Sequence, residues 1–288
     1  FFIFSPGYFY YSNVIEATNL FIPLFLIWIN FYLNIYLELK KNKGYFILFG
    51  VVTALLALTQ VVVVPIILVG FLALLFFRKV SIKNIFLIGF VSTLCYSPWV
   101  IRNYIVFDKI IVSKTPVWQN IYFSFTSYTN VLDDVKLISD RHEYYTFHGR
   151  KHIDEFEMEK IYEFETRRVL EDKEGVFLKK MAQNVVLLWY VPSRYFYDSS
   201  LSIVIGRKFY TVALNLMTIL SFVYFYRLGR KKMILGYLVV FIGFTFPYAI
   251  GHAANTRFKL DFEYLQYVLV AAYLYSIVIQ RYKKTSLN

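Results

Sequence analysis

The chain alternates long apolar runs with short knots of lysine and arginine. A helix needs roughly 20 mostly apolar residues to cross a bilayer. The first run that qualifies extends from about Ala17 to Leu37 and stops at Glu38, Lys40, Lys41 and Lys43. The next, Tyr45 to Phe77, is too long for one straight span. Gln60 and Pro65 interrupt it, so it reads as a tight hairpin of two helices turning near Gln60. The hairpin closes on Arg78, Lys79 and Lys83. A fourth span is expected from about Asn84 to Ile101, where Pro98, Trp99 and Arg102 mark its far end. Three more follow, near Tyr210–Tyr226, Met233–Ile250 and Phe262–Ile279. The pattern predicts an all-α membrane protein, a polytopic bundle of about seven spans.

Between Asn103 and about Ser202 the apolar runs give way to a segment dense in charge and tyrosine. The expected organisation is thus membrane spans over 1–102, a segment of mixed character over 103–202, and three spans over 203–288. Inside the middle segment, His152 to Lys173 reads as a soluble helix. Ile153, Phe156, Ile161 and Phe164 form its apolar stripe, Glu163 and Arg167 stand as an i,i+4 pair, and Gly175 stops it. Phe177 to Tyr190 mixes Lys179 and Lys180 with Met181, Val185, Leu188 and Trp189, as an interfacial helix does.

Charge orients the pattern. Alternating the crossings brings all four tight Lys/Arg clusters, thirteen basic residues, to one face. Short basic loops stay cytoplasmic, so that face is expected inside and the 103–202 segment outside. Composition agrees with lipid as the main solvent: 58% of residues are hydrophobic, 21% aromatic and only 17% charged. The formal net charge of +12 sits in these loop clusters, a placement that fits cytoplasmic loops better than a nucleic-acid groove. The single cysteine, Cys95, allows no intrachain disulfide. The chain opens inside apolar sequence at Phe1 with no initiator Met, and an upstream part is expected.

Ionisable residues beside a membrane are costly, and each is a functional candidate. Glu16, Gln60, Arg102, Asn103, His252, Asn255, Arg257 and Lys259 all fall at the outer ends of the predicted spans. Arg102, Arg257 and Lys259 would form a basic patch. Arg supplies a planar fork and Lys a point charge, both suited to a phosphate carried on a lipid. The plainer reading is that these residues snorkel to headgroups. Glu16 suits an acid or base, a metal ligand, or an N-terminal helix charge; His252 suits a general base or a structural hydrogen bond. No Gly-rich phosphate loop, Cys/His metal spacing or nucleophile elbow is present.

The stretch Ser97-Pro98-Trp99-Val100-Ile101-Arg102-Asn103-Tyr104-Ile105-Val106-Phe107 resembles the PW-x-x-RNY-x-x-F signature of GT-C superfamily glycosyltransferases. The nearest branch holds the dolichyl-phosphate-mannose-protein mannosyltransferases and lipid A aminoarabinose transferases. Weaker likenesses keep the family order: Ser5-Pro6-Gly7 through Tyr11 to Glu16, Gly50 to Gln60, Asn120-Ile121-Tyr122, and Arg257-Phe258-Lys259-Leu260. Two departures stand out, since Gln60 and Lys259 occupy positions where the family carries Arg.

The resemblance implies a GT-C-type bundle in a plasma membrane, prokaryotic in origin. Its reaction would be transfer of a sugar from a polyprenyl-phosphate-linked donor to a lipid, glycan or protein acceptor on the non-cytoplasmic face. Arg102, Arg257 and Lys259 would hold the donor phosphate. Glu16 would be an acid of the cavity, lined also by Gln60, Asn103, Tyr104 and His252, and the family's own catalytic acid is expected upstream of Phe1. The resemblance leaves room for a divalent cation, which nothing in these residues indicates. A flippase for a lipid-linked sugar and a non-catalytic membrane assembly subunit are the competing classes. Largely apolar span centres weigh against the flippase.

Overall fold

Every regular element described in the computed structural model is a helix. The described residues are 17–112, 117–123, 155–172, 175–190, 201–251 and 257–285, with side chains except at 123, 172, 201–208, 257 and 280–285. The chain divides into two compact units, with the division between Lys114 and Thr115. The described helices of the expected middle segment therefore group with the C-terminal helices.

The first unit contains α1 (Ala17–Tyr36), α2 (Lys43–Thr59), one 3-10 turn (Val61–Val63), α3 (Val64–Phe76) and α4 (Ile82–Phe107). Local signals set the boundaries. Asn42 caps α2 by accepting the Tyr45 N–H at 2.7 Å. Pro65 stands in the first turn of α3, where its missing N–H costs nothing. Helices α1 and α3 end on Glu38 and Arg78 in the left-handed region, at φ 64 and 53. The Leu39 and Lys79 N–H groups then close the last turns by donating to Asn34 and Leu74 carbonyls.

Helix α2 lies at the centre of this unit and packs on both α1 and α4. Gly50 permits the close approach: a Cβ there would stand 2.9 Å from the Ile88 carbonyl and 2.9 Å from Val91 Cβ. Ser92 Oγ donates to the Gly50 carbonyl at 2.9 Å across the same contact, the small-residue pairing that membrane helices use. On the other side the Trp28 indole donates to Thr53 Oγ1 at 3.1 Å. The hairpin turns where the sequence pattern puts it. Phe49 and Phe71, equidistant in sequence from Gln60, meet edge to face with centroids 5.7 Å apart.

One boundary differs from expectation. Helix α4 runs through Pro98 and Arg102 to Phe107 before Asp108 ends it at φ 51. Pro98 cannot donate to the Leu94 carbonyl, but Ser97 Oγ does so at 2.9 Å, so the helix loses little there.

The second unit contains α5 (Trp118–Phe123), α6 (Glu155–Asp172), α7 (Val176–Tyr190), α8 (Leu201–Arg227), α9 (Lys231–Ile250) and α10 (Arg257–Thr285). Helix α7 packs on α8, α9 and α10, and α6 packs on α5. The expected stripe of α6 is rotated: Phe164 is exposed, and Met158, Tyr162, Thr166 and Val169 are buried instead. Ile153 of that stripe lies outside the described residues. The Glu163–Arg167 pair does form, at 2.7 Å.

Among the described residues, five helices are long and apolar enough to cross a membrane: α1, α4, α9, and the parts Phe209–Arg227 of α8 and Phe258–Ile279 of α10. They define a helical membrane protein. The two arms of the hairpin, Lys43–Thr59 and Val61–Phe76, are apolar but shorter. At 1.5 Å per residue each reaches roughly 25 Å, against a hydrocarbon core of about 30 Å. The hairpin leaves and returns to the same end of the unit, so the direction of α4 is unaffected by its depth.

Candidate functional site

The signature at Pro98–Phe107 forms a small cluster on the last turns of α4. Consecutive residues on a helix point about 100° apart, so Asn103 turns inward while Arg102 turns out. Asn103 is 3% exposed, and its Oδ1 accepts from Arg102 Nη1 at 3.0 Å. The guanidinium also lies 5.9 Å from the centroid of the Phe107 ring. Arg102 and Tyr104 are exposed. The Tyr96 hydroxyl donates to the Val112 carbonyl at 2.9 Å and so draws the following loop back towards α4. The outcome is an exposed arginine steered by two neighbours at the end of α4 remote from the basic loops, its other donors without a partner among the described residues.

Lys259 sits very differently. It is 2% exposed, on the first turn of α10. Its Nζ lies 3.7 Å from Glu263 Oε1, donates to the Trp189 carbonyl at 3.4 Å and stands over the Trp189 ring at 5.8 Å. Glu263 Oε2 accepts from the Tyr267 hydroxyl at 3.2 Å, and Tyr267 in turn meets the Tyr210 hydroxyl. Lys259, Glu263 and Tyr267 recur every fourth residue, so one face of α10 carries an ordered polar file. A second file adjoins it. The Tyr248 hydroxyl donates to Asp261 Oδ2 at 2.7 Å, and Gln266 Nε2 donates to Asn215 Oδ1 and Thr218 Oγ1, each at 3.1 Å. Asn215 then donates to the Trp189 carbonyl at 2.7 Å. Breaking a buried pair such as Lys259–Glu263 by removing one partner costs on the order of 3–5 kcal/mol.

These contacts explain why α10 begins earlier than the expected span. Lys259 and Asp261 read in sequence as an outer turn, but each finds a buried polar partner, in Glu263 and Tyr248, and the helix absorbs them. A third polar pair holds the end of α9. Asn184 Nδ2 donates to the Ala249 and Gly251 carbonyls, each at 2.9 Å, and Lys180 Nζ donates to the Ile250 carbonyl at 2.5 Å. Lys180 also reaches the Ile121 carbonyl at 3.2 Å. The last carbonyls of a helix lack internal partners and carry its negative end, so an ammonium and an amide suit them. Glu159 does the reverse for α5, accepting the N–H groups of Val117, Trp118 and Gln119 at 2.9, 2.8 and 3.1 Å.

Of the residues singled out in sequence, Arg102, Asn103 and Tyr104 stand together on α4. Gln60 ends α2, half-buried, with its N–H donated to the Leu56 carbonyl at 3.1 Å. Lys259 lies in the second unit and is buried against Glu263. Arg257 begins α10, while its side chain, Glu16, Asn255 and His252 lie outside the described residues. Sequence reasoning missed Glu263, Gln266, Lys180 and Asn184. One signal was available: Val176, Lys180, Asn184 and Leu188 share one face of α7, so two polar residues occupy an otherwise apolar stripe.

Among the described residues, no three His, Cys, Asp or Glu side chains gather to hold a metal ion. Comparison with known proteins gave no matching family model, no matching curated protein and no matching solved structure.

Proposed function

We propose that the chain belongs to a membrane glycosyltransferase that takes its sugar from a polyprenyl-phosphate-linked donor. The observation that carries this reading is the Arg102 cluster. An exposed guanidinium held by Asn103 and Phe107, with donors left over among the described residues, fits a phosphate borne on a lipid. In the transfer, the bond from the sugar's anomeric carbon to the phosphate oxygen breaks and one to the acceptor hydroxyl oxygen forms. The polyprenyl phosphate leaves with the bonding electrons, and the acceptor proton passes to a base. Arg102 would stabilise the charge that grows on the departing phosphate. The reading assigns this chain donor binding and leaves the acid–base step unassigned.

The test is binding of a fluorescent polyprenyl phosphate to the purified chain. Arg102→Ala should lower affinity roughly tenfold or more, the weight of a charge-assisted hydrogen bond, without shifting the melting temperature. Equal affinity in the variant would remove the phosphate assignment. One observation favours passage of a lipid-linked sugar instead. The polar files of α10 continue to Gln266, about 13 Å along the helix from Arg257, so this span has a polar interior. Movement of a labelled lipid-linked sugar across vesicles containing the chain would support that reading; transfer without movement would exclude it.

A further inference from the structure

The basic loops of the first unit meet around a cleft of about 490 Å3 at the end opposite Gln60. Lys41, Arg78 and Lys79 supply its charge, and Phe46, Leu75 and Ile82 its apolar wall. The two loops, 37–43 and 77–83, contain six lysines and arginines and a single carboxylate, Glu38. Glu38 lies 2.9 Å from Lys79 and 3.4 Å from Lys41. Both pairs are largely open to solvent, where such contacts are worth little and exchange readily for a better anion. Arg78 makes no ion pair among the described residues.

The position of Arg78 adds to this. It occupies the left-handed residue after α3, at φ 53, a place that glycine fills without strain. The chain keeps a guanidinium there, on the wall of the cleft.

The cleft also has an apolar exit. From Ile82 at its rim, Phe86, Phe90 and Leu94 follow at four-residue intervals along α4, each at least 60% exposed. Residues so spaced line one face of a helix, and this face leads from the cations along a membrane span. A headgroup site beside an apolar rail matches an amphiphile better than a free anion.

We propose that this cleft binds the phosphate headgroup of an anionic membrane lipid, with an acyl chain laid along Ile82, Phe86, Phe90 and Leu94. The phosphate takes Arg78 as a forked donor and shares Lys41 and Lys79 with Glu38. A zwitterionic lipid carries an ammonium into the same cations and is disfavoured.

The experiment titrates the full chain in detergent with short-chain phosphatidylglycerol, matched phosphatidylcholine and inorganic phosphate. Phosphatidylglycerol should bind saturably and at least roughly tenfold more tightly than either of the others. Arg78→Gly should lower that affinity roughly tenfold while the lipid-free melting temperature holds or rises, because glycine suits the left-handed backbone. Lys41→Gln, on an exposed loop, should weaken binding in the same direction and covers the case in which Arg78→Gly folds poorly. Equal binding of phosphatidylcholine overturns the charge argument, and equal binding of inorganic phosphate overturns the lipid. Undiminished affinity in both variants shows that the cleft is not the site.

Discussion

Lys180 shows how a single residue couples burial to pH. Its ammonium is buried between the Ile121 and Ile250 carbonyls with the Phe177 ring 5.1 Å away. Burial pushes it down from the ordinary lysine range to about 7. In the unfolded chain the same group holds its proton to about pH 10.4. Between these values the unfolded state binds a proton that the native state has released, so stability rises with pH across that window. The melting temperature of the purified chain should therefore climb from pH 7.5 to 9.5, and Lys180→Met should flatten the climb. An identical slope in the variant would assign it to other groups. In sequence, Lys180 is legible only as a basic residue on an amphipathic helix. Its partners are carbonyls far along the chain, and backbone acceptors carry no mark in the amino-acid code. Arg102 is the contrary case. Its partners, Asn103 and Phe107, lie within the same signature, so the local cluster could be read before any coordinates.

Among elements, the α2–α4 contact depends on one missing methyl group. A Cβ on Gly50 would press on the Ile88 carbonyl, which is backbone and cannot rotate aside. Gly50→Ala should destabilise the chain by about 1–3 kcal/mol, as overpacking does, while Gly89→Ala, with nothing within 4 Å, should be neutral or mildly stabilising. Denaturation of both variants in mild detergent checks the pair, and a neutral Gly50→Ala would mean that the helices can separate freely. The hairpin was legible because Gln60 and Pro65 break an overlong apolar run. The full lengths of α4 and α10 were not. Ser97 rescues the carbonyl that Pro98 leaves open, and Tyr248, Glu263 and Trp189 satisfy charges that otherwise read as a turn. Both corrections come from side chains that meet polar groups inside the fold. The rotated stripe of α6 has a related cause: its apolar residues offer two competing faces, and Tyr162 packs on Tyr122 of α5 with the face that is buried.

For the whole molecule, the apolar runs read as a helical membrane protein, and five of the described helices have the length and hydropathy to cross a bilayer where about seven spans were expected. The basic clusters predict that cysteines placed at Lys41, Lys79 and Lys232 label from one side of a sealed vesicle, the cytoplasmic side. Labelling of Lys41 and Lys232 from opposite sides would overturn the topology. The hairpin stands apart from this count, because it returns to the side it left and changes no other helix's direction. Its depth is consequently set by its packing on α1 and α4 and not by any need to carry the chain across. Where lipids are short, arms of roughly 25 Å reach the far surface; where lipids are long, the same arms stop inside, and no downstream loop changes sides. A chain built this way tolerates membranes of different thickness without any change in its topology.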